Sequence, residues 1–256
     1  GLWLGRSGAA AATLIAAWSG LGLGLWLCRG AFGPQMSEAL SRLRDRAALQ
    51  RMLSVNGGIM LRTVLLQGAF TSFLFLSAGE GGQGLAANQV LMQFFAITAY
   101  ALDGFAFAAE TLVGQAVGAR SRADLDQAAR LSLRWGAVGA AVLGVAFAVA
   151  GPGLIDLMTT APEVREAARL YLPWVAVGPL IGVASWMFDG IFIGATLTRA
   201  MVICVGISVG VYAMAAVLLP PVWGNHGLWA GLMVLDAMRG LYAAAMWPGQ
   251  RRRLMT

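Results

Sequence analysis

The stretch ALDGFAFAAETLVGQAVGAR, residues 101–120, combines a long apolar segment with two carboxylic acids. Asp103 and Glu110 stand seven residues apart among alanine, phenylalanine and leucine. A second stretch, MFDGIFIGATLTR at 187–199, again places an acid, Asp189, before a glycine. Charged groups in such apolar surroundings are costly unless they face a polar interior, so these three acids are candidates for function.

The composition around these stretches is that of an integral membrane protein. The 256 residues are 59% hydrophobic and only 12% charged, and the mean hydropathy is +0.71. About twenty helical residues cross a hydrocarbon layer of roughly 30 Å, and the apolar runs are continuous, unlike the alternating pattern of barrel strands. We therefore predict an all-α membrane protein with about seven transmembrane helices, at roughly 8–29, 56–78, 85–116, 132–151, 168–194, 200–219 and 226–247.

The basic residues predict the orientation in the membrane. The net charge of +6 comes from 18 arginines with no lysine, and the arginines cluster in connectors between apolar runs rather than in a patch that would bind nucleic acid. Twelve lie in or beside 30–55, 117–131, 195–199 and the C-terminal tail, against three on the opposite side. Because positive charge favours the cytoplasm, this asymmetry predicts a plasma (inner) membrane protein with a cytoplasmic C-terminus.

Helical periodicity collects the polar residues of three spans on one face each. Around 85–116 they fall within about a third of the circumference at 100° per residue, and 56–78 and 168–194 contain similar stripes. Three polar stripes indicate a water-filled cavity between the helices. The candidates for its lining are Gln67, Gln89, Gln93, Tyr100, Phe107, Trp174 and Ser185.

The acids on these stripes are candidates for coupling to a cation. An acid in such a cavity can take a proton from one side of the membrane and release it to the other, so we assign cation coupling to Asp103, Asp189 and Glu110. Alternatives remain at this point, because each Asp-Gly can mark a kink or local unwinding, and Glu110 can serve in gating or helix capping. Asp236 and Arg239, three residues apart, predict a structural ion pair.

The sequence contains little that would support enzymatic activity. His226 is the single histidine, so no HExxH zinc motif and no Ser/His/Asp set can be assembled. Cys28 and Cys204 lie in separate apolar runs and do not form a metal site by themselves. We expect no enzymatic activity, no catalytic residue, no metal site and no cofactor.

Three longer stretches carry a family resemblance. LAANQVLMQFFAITAYALDGFAFAAETLVGQAVGAR (85–120), MFDGIFIGATLTRAM (187–201) and VNGGIMLRTVLLQGAF (55–70) resemble the multidrug and toxic compound extrusion (MATE) family, its DinF-like branch in particular. Members have twelve helices in two six-helix lobes. The resemblance implies that 1–29 holds the last helix of the N-terminal lobe, 30–55 is the cytoplasmic inter-lobe connector, and 56–256 is the C-terminal lobe with its tail. The chain is then part of a longer protein whose N-terminal lobe is missing.

The resemblance also implies a function. Members export cationic or amphipathic compounds in exchange for protons or sodium, and Asp189 matches an acid on the tenth helix implicated in cation coupling in some branches. The acid that those branches carry on the seventh helix has no counterpart, because Gln67 stands there instead, which disfavours sodium. Two alternatives stay open. One is a lipid-linked saccharide flippase, but many more basic residues would be expected along its cleft, and the mostly acidic spans of this chain disfavour it. The other is a non-transporting remnant of a truncated gene.

Overall fold

The computed structural model describes residues 5–29 and 45–254, and all regular secondary structure in those ranges is helical. The predicted all-α architecture is therefore confirmed. A short 3₁₀ turn at Ala78–Glu80 separates the second and third helices. The helices are α1 Gly5–Cys28, α2 Arg46–Ser77, α3 Gly81–Gly118, α4 Arg122–Met158, α5 Pro162–Gly194, α6 Thr198–Leu218, α7 Pro220–Trp223 and α8 Asn225–Leu254.

Five of these helices, α2 to α6, are long and apolar enough to cross a membrane. The first predicted span, 8–29, lies in α1, which has a shorter apolar stretch at Ala11–Leu27. The last, 226–247, lies in α8, where Asp236 and Arg239 interrupt the apolar sequence. A continuous helix satisfies its own backbone groups, which is what a lipid environment requires of a spanning segment.

The chain divides into two compact units, Gly1–Ser54 and Val55–Thr256. In the first unit, α1 exposes apolar side chains such as Leu14 and Trp18. The second unit begins one residue before the predicted start of the six-helix lobe at 56. The greater part of the predicted connector, 30–44, lies outside the described residues, so the assignment of lobes and connector stays a prediction.

The second unit is built around α5, which packs against α3, α4 and α8. Its core contains large apolar side chains from each of these helices, among them Phe94 and Met187. The helix α2 contacts α6 and α8 through side chains. The Tyr212 hydroxyl of α6 donates to the carbonyl oxygen of Ala69 at 3.0 Å, and the rings of Phe73 and Trp229 meet edge to face at 5.0 Å.

The two Asp-Gly pairs have different structural roles. Both α3 and α5 continue as regular helix through these pairs, so the alternative that each Asp-Gly marks local unwinding is wrong. At Gly190, an added Cβ would overlap the carbonyl oxygen of Ala106 on α3, whereas Gly104 has open space around it. Gly190 is therefore a packing glycine that lets two helix backbones approach closely.

Candidate functional site

Four charged side chains from three helices form a continuous network, called here the charge network: Arg62 of α2, Asp189 of α5, and Arg239 and Asp236 of α8. The Oδ2 atom of Asp189 accepts hydrogen bonds from Arg62 Nη2 and from Arg239 Nη2, the latter at 2.6 Å. Arg239 Nη1 in turn donates to Asp236 Oδ1 at 2.8 Å. The predicted Asp236–Arg239 ion pair is confirmed, and it belongs to a longer chain of alternating charges.

The network runs from the protein interior toward a cavity. Its side chains are 1% exposed at Asp236, 4% at Arg239, 13% at Asp189 and 22% at Arg62. Desolvation of buried charges is expensive, so such a network persists only when each charge has a close partner. Removing one partner of a buried pair typically costs about 3–5 kcal/mol, because the other charge is left uncompensated.

The cavity, called here the α2–α3 cavity, has a volume of about 330 Å³ and lies between α2 and α3, with walls from α5 and α8. It combines charged, polar and aromatic groups, the composition expected of a small-molecule site. Its lining consists of the charged residues Arg62, Asp103 and Arg239, the polar residues Thr63, Gln67 and Tyr100, and the apolar residues Leu66, Phe70, Met92, Phe95, Ala96, Ala99 and Trp186.

Asp103 is the acid that lines this cavity. Its side chain is half-buried, and it lies within electrostatic range of Arg62, Asp189 and Arg239. In the part of the chain that the structure describes, Asp103 makes no ion pair, in contrast to Asp189. The charge network is neutral by itself, with two arginines and two aspartates. An ionised Asp103 therefore gives the whole group one net negative charge, and a protonated Asp103 gives none.

The structure separates the predicted lining residues into two sets. Gln67 and Tyr100 line the α2–α3 cavity. Gln89, Gln93 and Phe107 lie on the same face of α3 and are exposed, but they are not part of this lining.

Trp174 and Ser185, two further residues that periodicity predicts for a cavity lining, do not line the α2–α3 cavity. The Trp174 indole donates to His226 Nδ1 at 2.9 Å. Ser185 is buried, and its hydroxyl donates to the Gly182 carbonyl oxygen of its own helix at 2.8 Å. Both side chains therefore satisfy their polar atoms elsewhere in the protein.

Glu110 also lies away from the α2–α3 cavity. It is half-buried two turns further along α3, where its backbone packs against α5. A Cβ added at Gly194 would overlap the Glu110 carbonyl oxygen. This position is part of the close α3–α5 contact, so any coupling role of Glu110 stays a prediction.

Sequence reasoning assigned neither arginine to the cavity. It paired Arg239 with Asp236 and gave Arg62 no role, whereas both arginines lie well inside their helices, α2 and α8, and line the cavity. The expectation that the spans present mostly acids is therefore wrong for this cavity, where two arginines and one aspartate form the charged lining. The signal was available, because an arginine inside an apolar span is as unusual as an acid there.

A multi-pass helical protein with a charged cavity between its spans has the architecture of a membrane transporter. Residues 59–218 match the MatE family model. The chain is 38% identical over 249 residues to DNA damage-inducible protein F of Escherichia coli (strain K12), covering 96% of this chain and 54% of that protein. The chain therefore belongs to the MatE family, whose members are multi-pass membrane transporters and not enzymes.

More distant similarities agree with this assignment. Protein DETOXIFICATION 42 of Arabidopsis thaliana is 27% identical over 251 residues, covering 95% of this chain and 46% of that protein. The crystal structure of a mutant form of the Vibrio cholerae MATE transporter VcmN has the same fold, with a TM-score of 0.85 at 19% identity, covering 98% of this chain and 57% of that one. The chain thus spans about half the length of the curated relatives it matches.

Proposed function

We propose that this chain forms one six-helix lobe, with a preceding helix, of a proton-coupled antiporter that exports cationic or amphipathic compounds. The observation that carries the proposal is the Asp103 carboxyl group, which lines the α2–α3 cavity without an ion pair in the described residues, beside a charge network that is neutral by itself. When this carboxyl group is ionised, the cavity carries one net negative charge. One negative charge can be neutralised either by a proton or by a cationic substrate. Binding of one therefore opposes binding of the other, which is what exchange requires.

The remaining lining suits an amphipathic cation. Phe70, Phe95, Tyr100 and Trp186 surround the cavity with aromatic surface. Aromatic faces attract cations, with a contribution of about 0.5–2 kcal/mol each depending on desolvation. Coupling then needs only that the inward-open and outward-open states differ in their affinity for the proton and the substrate.

The proposal includes a second lobe opposite the exposed polar face of α3. Gln89, Gln93 and Phe107 are exposed on that face in the described residues, and the curated relatives are about twice as long as this chain. A partner lobe facing α3 would enclose the cavity and give it two alternating openings. The arginine distribution supports a plasma (inner) membrane location with a cytoplasmic C-terminus.

For the flippase alternative, one observation speaks in favour and one against. Two arginines line the cavity, as a site for an anionic lipid headgroup would require. Both are ion-paired to Asp189, and Arg239 also to Asp236, so their positive charge is already matched. A headgroup would meet a neutral or negative site, which favours export of cations instead.

Efflux from proteoliposomes tests the proposed function. The full-length protein, with both lobes, is reconstituted into vesicles with the fluorescent cation ethidium inside, and a proton gradient of either direction is imposed. We expect efflux with an inward proton gradient and its loss to background in Asp103→Asn. Asp156→Asn is the matched control, because it removes an acid from an exposed ion pair with Arg169 outside the cavity. Efflux that does not depend on the proton gradient, or that is unchanged in Asp103→Asn, would contradict the proposal.

A further inference from the structure

Arg62 is the member of the charge network that is most exposed at the cavity. It is the most exposed of the four side chains, whereas Arg239 is almost fully buried and holds two carboxylates, Asp189 and Asp236. Within the described residues Arg62 is ion-paired to Asp189 alone, and its Nε is buried without a hydrogen-bond partner. Arg239 also lines the cavity, but Arg62 is more exposed and has one ion-pair partner instead of two, so its removal changes the charge at the cavity while the Arg239 ion pairs remain.

The position of Arg62 decides which cations can reach Asp189. A hard metal cation is held by several oxygen ligands at once, with carboxylates foremost. One carboxylate oxygen of Asp189 already accepts from Arg62 and from Arg239. Asp103 is then the acid left open to exchange.

We propose that Arg62 is a built-in counter-cation, occupying the place beside Asp189 that a dissolved sodium ion would otherwise take and so restricting the site to protons. The net charge of the site shows what the loss of Arg62 would change. With Asp103 ionised, the charge network and Asp103 together carry a net charge of −1, and loss of the Arg62 charge makes it −2. The inference rests on the proposed function and names the residue that sets its ion specificity.

Sodium-dependent thermal stability of the purified protein tests the inference without requiring transport. The unfolding midpoint is measured in sodium chloride and in choline chloride at equal ionic strength. We expect no difference for the wild type and for Arg62→Lys, which keeps the charge. In Arg62→Gln we expect sodium to raise the midpoint by about 3 °C at roughly ten times its Kd. The added substitution Asp189→Asn should abolish that rise.

A matched control separates this effect from general loss of an ion pair. Arg169→Gln also removes an arginine bonded to an aspartate, Asp156, but away from the cavity, and it should remain insensitive to sodium. The inference is overturned if the wild type itself responds to sodium and loses the response in Asp189→Asn. It is equally overturned if folded Arg62→Gln shows no response. Failed efflux with a positive sodium result would instead count against the proposed function alone.

A switchable variant covers the case in which Arg62→Gln does not fold. The imidazole introduced by Arg62→His is charged at about pH 5.5 and neutral at about pH 9. We expect no sodium response at the lower pH and a clear one at the higher pH, in the same preparation. Arg169→His reports any general effect of pH. An equal response at both pH values, or none at either, would overturn the inference.

Discussion

Asp103 and Asp189 look equivalent in the sequence, yet they meet different partners. Each precedes a glycine in an apolar helix. Asp189, however, accepts hydrogen bonds from two guanidinium groups, whereas Asp103 lines the cavity without an ion pair in the described residues. Sequence reasoning identified both as costly acids, because the cost depends only on local apolarity. It did not find the pairing, because Arg62 and Arg239 lie 127 and 50 residues away from Asp189 along the chain.

This difference predicts opposite effects on stability. Asp189→Asn leaves Arg62 and the almost fully buried Arg239 with less negative charge, so we expect the free energy of unfolding to fall by about 3 kcal/mol. Asp103→Asn removes a charge without such a partner and should change stability by less than about 1 kcal/mol. Chemical denaturation of both variants in detergent measures the contrast. Equal losses in the two variants would show that Asp189 is not the anchor of the network.

At the scale of elements, periodicity located the polar face of α3 correctly but could not assign depth along it. Tyr100 and Asp103 reach the α2–α3 cavity, while Gln89 and Gln93, two to four turns earlier on the same face, do not. Part of the cavity wall comes from other helices, such as Trp186 of α5, and the periodicity of a single helix does not reveal such contacts. The packing role of Gly190 was missed for the same reason, since it depends on the backbone of α3.

The close contact between α3 and α5 gives a second prediction. Gly190→Ala places a methyl group against the Ala106 carbonyl oxygen, and overpacking of this kind typically costs about 1–3 kcal/mol. Gly104→Ala has open space around its Cβ and gains helix propensity, up to about 1 kcal/mol. Unfolding midpoints should therefore fall in the first variant and stay level or rise in the second. A stable Gly190→Ala protein would mean that the two backbones are not in contact.

At the scale of the whole molecule, composition and continuous apolar runs predicted a helical membrane protein, and the family match and the helices agree. The orientation predicted from the arginines is a separate hypothesis. The orientation gives a third prediction. With Cys28 and Cys204 replaced by serine, a membrane-impermeant thiol reagent should label Arg252→Cys, near the end of α8, only from the cytoplasmic side. Glu163→Cys, in the first turn of α5, should be labelled only from the outside. The reverse pattern would invert the proposed topology.

The proposed mechanism depends on a proton leaving Asp103 when a cation enters the cavity. Proton release by the purified protein in weakly buffered solution measures this directly, with a pH indicator and ethidium as the added cation. We predict that the wild type and Asp156→Asn release protons as ethidium binds, and that Asp103→Asn binds ethidium without releasing any. Undiminished release from Asp103→Asn would contradict the account.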